Sequence, residues 1–499
     1  MRCHLGLRRR CCLRYGRSMT KLTPHDWQIA DQAKLRAHDY TGLVAIEAGG
    51  GKSLTATLAI KDSGASSTLI IAPKSTFATA WIPTLRDNIG QDARVIGNDN
   101  KATKKALDDF LWGYPGIYLA TPQFTARADT SEWRGDYLIH DEAHQGVTMG
   151  TKLQRTLGGY SPMDNPMVTR FGGRLALSGT PLRQAFANAW GLMKLLYPEL
   201  SGPGQIADSN PFRWQIERMD YVEVYTNQRD RDGRPKKVKQ FLGEKEPGKL
   251  LSEIPCAIIH KRRERCCEYH PEGFLPTAEP QVIEREVILT SKQRRQIRDM
   301  EALMMAYIDE NPLIADIPLT QKQRIRQMTL GECEAVATED DKMTIEFPKD
   351  APSPFLDETI HILSNLPDDE CVVVFLESQR YAEVLTYRLN KEGYASQEYS
   401  GKRKADLSKF GTDYRVLVGV LSALGTGTAG LNHIAHTEIV YEQPVSLTMR
   451  EQGFARLDRM DNTHRVQRYV LLDSEGVQAG RVDDLAAKKL MVNRSLRVA

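Results

Sequence analysis

The residues of this chain that could do chemistry fall into short groups, the first being Leu43-Val-Ala-Ile-Glu-Ala-Gly-Gly-Gly-Lys52-Ser53. An apolar run passes through Gly49, Gly50 and Gly51 into a stretch that reads as a helix. Such a loop lets backbone N–H groups turn inward around phosphate oxygens, while the helix N-terminus adds its dipole and Lys52 reaches the β- and γ-phosphates. Ser53 offers a hydroxyl to Mg²⁺. Ile46 stands where such loops usually begin with Gly or Ala, and a plain turn is the competing reading. The second group, Asp141-Glu142-Ala-His144, directly follows the apolar run Tyr137-Leu-Ile139. Downstream of a phosphate loop, an Asp at a strand end binds Mg²⁺ through water, and the adjacent Glu polarises the attacking water. Read alone, the same four residues are an acidic helix start. The third group, Ser178-Gly-Thr180-Pro, follows Leu175-Ala-Leu177 and is either a turn or a polar relay from nucleotide to substrate.

The elements that must position these groups alternate between strand and helix. Leu43–Ile46, Leu69–Ile71, Ile117–Ala120, Tyr137–Ile139 and Leu175–Leu177 are short apolar runs, as buried parallel strands require. A second series covers Val282–Leu289, Val372–Phe375, Val416–Val420, Glu438–Tyr441 and Tyr469–Leu472, with residues 292–310 helical after its first strand. Between the series the alternation is lost. There Arg229–Lys239 carries six basic and two acidic residues, either a solvated hairpin or a protrusion that contacts phosphates.

At 499 residues the chain is too long for one ordinary core, so two or three domains are expected. Hydrophobic residues at 41% and charged residues at 26% describe a soluble globular protein with no run long enough to span a bilayer. A net charge of +3 implies no polyanion by itself, so any basic surface must be local. The eight cysteines show no C-x-x-C pair and read as reduced thiols, which favours a cytoplasmic or nuclear setting over secretion. Residues 1–18 are rich in arginine and lack acids. They read as a dispensable tail ahead of Met19, with a targeting peptide or nucleic-acid arm as alternatives. Cys256, His260, Cys266, Cys267 and His270 are close enough to suggest zinc. The adjacent cysteines make awkward co-ligands and Lys261-Arg-Arg263 repels a cation, so zinc is disfavoured and a basic interlobe helix preferred.

Taken in order, these groups resemble the superfamily 2 helicase/translocase core and, in detail, its Swi/Snf-like branch of DEAH-box type. In that resemblance Trp27-Gln28 matches the adenine-reading motif, Ile71-Ala-Pro-Lys74-Ser75 and Ala120-Thr121-Pro-Gln123 match nucleic-acid-contacting motifs, and Leu177–Leu182 matches the coupling motif. Asn188–Pro198 and Ile259–Arg265 match segments of the same branch, the latter a basic helix. In the second half Val372–Phe375 and Tyr399-Ser-Gly401 resemble the opening of lobe two. Gly425–Asn432 is similar to motif V, and Gln452-Gly-Phe-Ala-Arg456-Leu-Asp-Arg459 to motif VI, where guanidinium groups stabilise the transferring phosphoryl group from the opposite lobe. Asp458 departs from the His usual there, and Met460-Asp-Asn462 from the usual Ile-Gly-Gln.

The resemblance implies an α/β fold of two RecA-like P-loop lobes with parallel sheets. Its boundaries are a tail at 1–18, lobe one at 19–200, an irregular basic insertion at 201–280, lobe two at 281–475 and a C-terminal helix at 476–499. It implies ATP and Mg²⁺ as nucleotide and metal. ATP would be held by Gln28, Gly49, Gly50, Gly51, Lys52 and Ser53, and Mg²⁺ by Ser53 and Asp141. Glu142, Gln452, Arg456 and Arg459 would be catalytic, with His144, Ser178 and Thr180 coupling. Lys74, Ser75, Thr121, Gln123, Lys402, Arg403, Thr428 and Asn432 would face nucleic acid, with duplex DNA the first choice. Translocation on duplex DNA is then the expected activity, since no aromatic wedge or hairpin dedicated to splitting strands is visible. The alternatives are a strand-separating DNA or RNA helicase and a nucleotide-gated binding or annealing module; no membrane partner is expected.

Overall fold

The computed structural model describes residues 23–495 except 161–163, 183–185, 201–204, 206–207, 209, 230–234, 265–267, 276–277, 309–310, 315–317, 339–342, 426–427, 429, 445, 461 and 463. The tail expected at 1–18 lies outside the described residues, as do Cys266 and Cys267.

Strands β1 (Gly42–Ile46) and β2 (Ser67–Ile71) are buried at every position, because helices cover both faces of the sheet they belong to. With β3 (Ala93–Val95), β4 (Gly116–Ala120), β5 (Gly135–His140) and β6 (Phe171–Leu177) they form a parallel sheet. An antiparallel ribbon follows, β7 (Met219–Arg229) with β8 (Pro235–Glu244), and then β9 (Ala257–His260). β9 lies within the stretch expected as an insertion, yet it pairs in parallel with β1 and completes a sheet of order β3-β4-β2-β5-β6-β1-β9. The basic helix expected from Ile259 is therefore corrected: its first residues are strand. Alternate side chains of β9 bury Ile258 and His260, a period of two that the Lys-Arg run following it obscured.

The second lobe opens with β10 (Gln281–Val287). The helix expected over 292–310 spans only Ser291–Leu303, started by a capping box between Thr290 and Gln293 and stopped by Met304 in the left-handed region, φ 54°. Two short hairpins follow, β11 (Met305–Ile308) with β12 (Asn311–Ile314) and β13 (Glu334–Ala337) with β14 (Met343–Glu346). β15 (Cys371–Leu376), β16 (Ser396–Tyr399), β17 (Val416–Val420), β18 (Ala435–Val440) and β19 (Gln467–Asp473) then complete a second parallel sheet, order β10-β19-β18-β15-β17-β16. The architecture is thus α/β with two parallel sheets, consistent with two RecA-like lobes.

The lobes touch. Leu447, and Leu485 from the last helix (Val477–Ser495), join the apolar core of the first lobe, and Met460 packs on its other core. Within that first core the helix Asn188–Leu196 is buried along its whole length. A methyl at Gly191 would overlap the Val147 carbonyl, a backbone group that cannot swing aside. Gly191→Ala is therefore expected to destabilise the chain by roughly 1–3 kcal/mol, whereas Gly480→Ala, where a methyl meets open space, should stabilise slightly. Thermal denaturation of the two variants side by side checks the pair.

Candidate active site

β1 delivers the glycine loop at its carboxyl end. Gly49 (φ +89°) and Gly51 (φ +80°) are left-handed, and a Cβ at Gly50 would collide with Ile46 and the Phe274 ring. The helix Lys52–Ser63 then starts with Gly51 as its N-cap, presenting the first-turn N–H groups and the half-exposed Ser53. Lys52 Nζ donates to the Ile46 carbonyl at 2.9 Å and lies against Gly179. Gln28 is buried behind this loop. Its amide donates to Thr55 Oγ1 (3.2 Å) and, more weakly, to the Gly51 carbonyl (3.4 Å), and its Oε1 accepts from the His25 backbone (3.1 Å).

β5 ends on the acidic pair. Asp141 is buried; its carboxylate accepts from the Trp81 indole at 2.9 Å and from the Glu142 backbone at 3.0 Å. Burial, and then the neighbouring Glu142 charge, push its pKa up to about 6, against the pull of Trp81 and Lys52. Two hydrogen bonds leave lone pairs on a carboxylate, and a divalent cation would favour its ionised form. Hydroxyl and carboxylate oxygens, such as those of Ser53 and Asp141, are donor types that Mg²⁺ takes. Glu142 holds φ +50°, a conformation costing a non-glycine residue about 1–3 kcal/mol and typical of functional turns.

From Glu142 a polar path leads to the other lobe. The buried His144 places Nδ1 3.3 Å from Glu142 Oε2 and 3.0 Å from Ser178 Oγ. Ser178 Oγ accepts from the Thr180 backbone at 3.1 Å, and Thr180 Oγ1 lies 3.3 Å from Thr448 Oγ1, in the helix Leu447–Phe454 of the second lobe. The three residues expected to couple are brought together; Thr448, their partner, gave no sequence signal.

The same second-lobe helix leads to the arginines. Arg456 is spent internally: Nη1 donates to the Thr428 carbonyl at 2.7 Å and Nη2 to that of Gly425. Burial lowers its pKa to about 10, Arg459 acting in the same direction and Glu142 opposing. Arg459 is half-buried, and its guanidinium makes no hydrogen bond or ion pair among the described residues. A cleft of about 370 Å³ separates the lobes, with Lys52, Glu142 and Thr180 on one wall and Gln452 and Asp458 on the other. Arg456 and Arg459 lie outside its lining.

The residues expected to meet nucleic acid divide into two groups. Lys74, after β2, is exposed and only loosely paired with Asp99 (3.6 Å), and Ser75, Gln123, Lys402 and Arg403 are exposed as well. Arg403 pairs with Glu383 (2.9 Å) and Glu398 (3.5 Å). Thr121 caps the helix Pro122–Thr125 through its hydroxyl, which accepts from Phe124 N at 3.1 Å. Thr428 and Asn432 are buried, and the Thr428 hydroxyl donates to the Leu424 carbonyl (2.7 Å). Of the suggested zinc ligands, His260 places Nε2 2.9 Å from an Asp31 carboxylate oxygen, and Cys256 packs where a Gly42 Cβ would stand. Glu451 was not anticipated; burial and then Glu47 push its pKa up to about 7.

No family model matches the sequence, and no curated protein matches it. Among solved structures the chain is similar to the SWI2/SNF2 ATPase core of Sulfolobus solfataricus in complex with dsDNA. The match covers 96% of this chain and 94% of that one, with 16% identity and a TM-score of 0.39.

Proposed function

We propose that this chain hydrolyses ATP and uses the cycle to move along nucleic acid, with duplex DNA as the first choice. The observation that carries the reading is the polar path from the acidic pair through His144, Ser178 and Thr180 to Thr448 on the opposite lobe. Lys52 and the glycine loop would bind the phosphates, and Glu142 would take a proton from the attacking water. Mg²⁺, held by Ser53 and Asp141, would neutralise charge on the phosphate oxygens. A change at the γ-phosphate alters what Glu142 and His144 face, and the path passes that change to the second lobe. Lys74, Gln123 and Lys402, each following the carboxyl end of a strand, are the exposed groups suited to phosphates.

Strand separation is the second reading, and one observation favours it. The ribbon β7–β8 is a long hairpin with Tyr225 68% exposed. Opening base pairs means overcoming stacking of about 1.4 kcal/mol per step, and such a ribbon could insert there. The two readings separate in one experiment, the ATPase rate measured with no nucleic acid, single-stranded DNA, duplex DNA and RNA. Duplex DNA is expected to stimulate at least as well as single strands, with triplex displacement and poor unwinding of a fork. Stimulation by single strands only, with strong fork unwinding, would install the second reading. Stimulation by RNA alone would reject DNA as the track.

A further inference from the structure

β9 does more than extend a sheet. It runs parallel to β1 with His260 opposite Ile46, so the chain leaves it beside the glycine loop. There Glu47 N donates to the His260 carbonyl (3.0 Å) and Arg262 N donates to Glu47 Oε2 (2.8 Å). Phe274 and Leu275 fold back on Lys261 and Arg262 through backbone hydrogen bonds of 3.0 and 2.9 Å, which sets the Phe274 ring against Gly50. The segment 261–263 is thus fixed to the phosphate loop on the backbone side and through Glu47.

The side chains of Arg262 and Arg263 go to the other lobe, while Lys261 pairs with Glu264 at 3.0 Å. Arg263 forks onto Asp458, Nη1 to Oδ2 at 2.6 Å and Nη2 to Oδ1 at 2.8 Å. Arg262 Nη2 lies 2.7 Å from Asp458 Oδ2 and also donates to the Asp458 carbonyl. Asp458 is buried, and both arginine side chains are largely so. A planar fork on a carboxylate fixes direction as well as distance. Two guanidinium groups on one aspartate therefore hold that stretch of backbone in one place. The stretch has Arg459 next to it in sequence and Arg456 two residues before, so whatever fixes Asp458 also fixes where Arg459 can reach.

We infer that Arg262 and Arg263 are positioning residues: through Asp458 they tie the arginine-bearing turn of the second lobe to the phosphate loop of the first. This rests on the ATPase reading above. Movement of Glu47 and Gly50 on phosphate binding would be carried along the His260–Arg263 backbone to Asp458, a second link between the lobes, separate from the Thr180–Thr448 contact.

The test uses the full chain with Asp458→Asn, Arg263→Gln and the double variant, each first checked for folding by thermal denaturation. Each single change is expected to lower kcat on the order of 10- to 100-fold, as displacement of a catalytic group by about an ångström does. KM for ATP should stay within about twofold, because the lost interaction orients a transition-state contact. The double variant should be no worse than the poorer single one, since Arg263 reaches the arginine-bearing turn through Asp458. Losses that multiply would overturn the inference, as would variants that turn over like the parent. Hydrogen exchange over the peptide 450–460 gives a readout without turnover: protection should fall in both single variants. Unchanged protection overturns the inference even if rates fall. Lost protection in a chain whose parent hydrolyses no ATP would leave the tie standing and remove the ATPase reading instead.

Discussion

Glu142→Gln is expected to leave ATP binding near the parental level and to cut hydrolysis by about 10²- to 10⁴-fold, the range that a positioned general base supplies. The substitution keeps the length and shape of a side chain that is already held in a left-handed turn. It removes only the charge, so the loop geometry, the 3.0 Å contact of His144 with Ser178 and the Thr180–Thr448 link should persist. Lys52→Ala should also abolish most turnover, with a different signature. Lys52 is the cation that the glycine loop directs toward the cleft, and its loss should weaken nucleotide binding along with the chemical step. Nucleotide affinity by equilibrium titration, set beside single-turnover hydrolysis, tells the two apart. If the Glu142→Gln protein hydrolyses ATP near the parental rate, Glu142 is removed from the chemistry. The same result for Lys52→Ala would remove the phosphate-loop reading altogether.

Much of this site was legible because its residues follow buried strands. An apolar run that ends in Gly-Gly-Gly-Lys, Asp-Glu or Ser-Gly-Thr announces both the strand and what its carboxyl end carries, and the adjacent strands β5, β6 and β1 place these groups together at their carboxyl ends. Partners contributed from elsewhere were not legible. Trp81 reaches Asp141 from a stretch with no periodic signal, and Thr448 is one hydroxyl in an ordinary helix. β9 was hidden because an edge strand of four residues carries little pattern and a basic run follows it. In sequence, Asp458 is a bare departure from the expected His. Only the fold, by placing two arginines on it, gives that departure a physical reason.

Arg459→Ala is also expected to act on the chemical step, with ATP binding retained. Of the two motif arginines Arg459 is the first choice for the finger, with Arg456 beside it, and their surroundings differ. Arg456, itself half-buried, gives both terminal nitrogens to the carbonyls of Gly425 and Thr428, so it closes a turn of its own lobe. Its replacement by Ala leaves those carbonyls without their charged donor, at about 1.5–3 kcal/mol per hydrogen bond, and should appear mainly as lowered stability. Arg459 has no such engagement among the described residues and stands beside Asp458, the point at which the first lobe grips the second. It lies outside the cleft lining, so it would reach the γ-phosphate only as the lobes close further. A guanidinium that arrives with closure stabilises the transition state more than bound ATP, and its loss should lower kcat by roughly 10³-fold or more. ATP affinity and melting temperature should stay near parental values. Measuring kcat, ATP affinity and thermal stability for both variants decides between them. If Arg459→Ala weakened ATP binding with kcat intact, it would be a ground-state contact. If Arg456→Ala kept its stability and lost kcat, the finger would be Arg456.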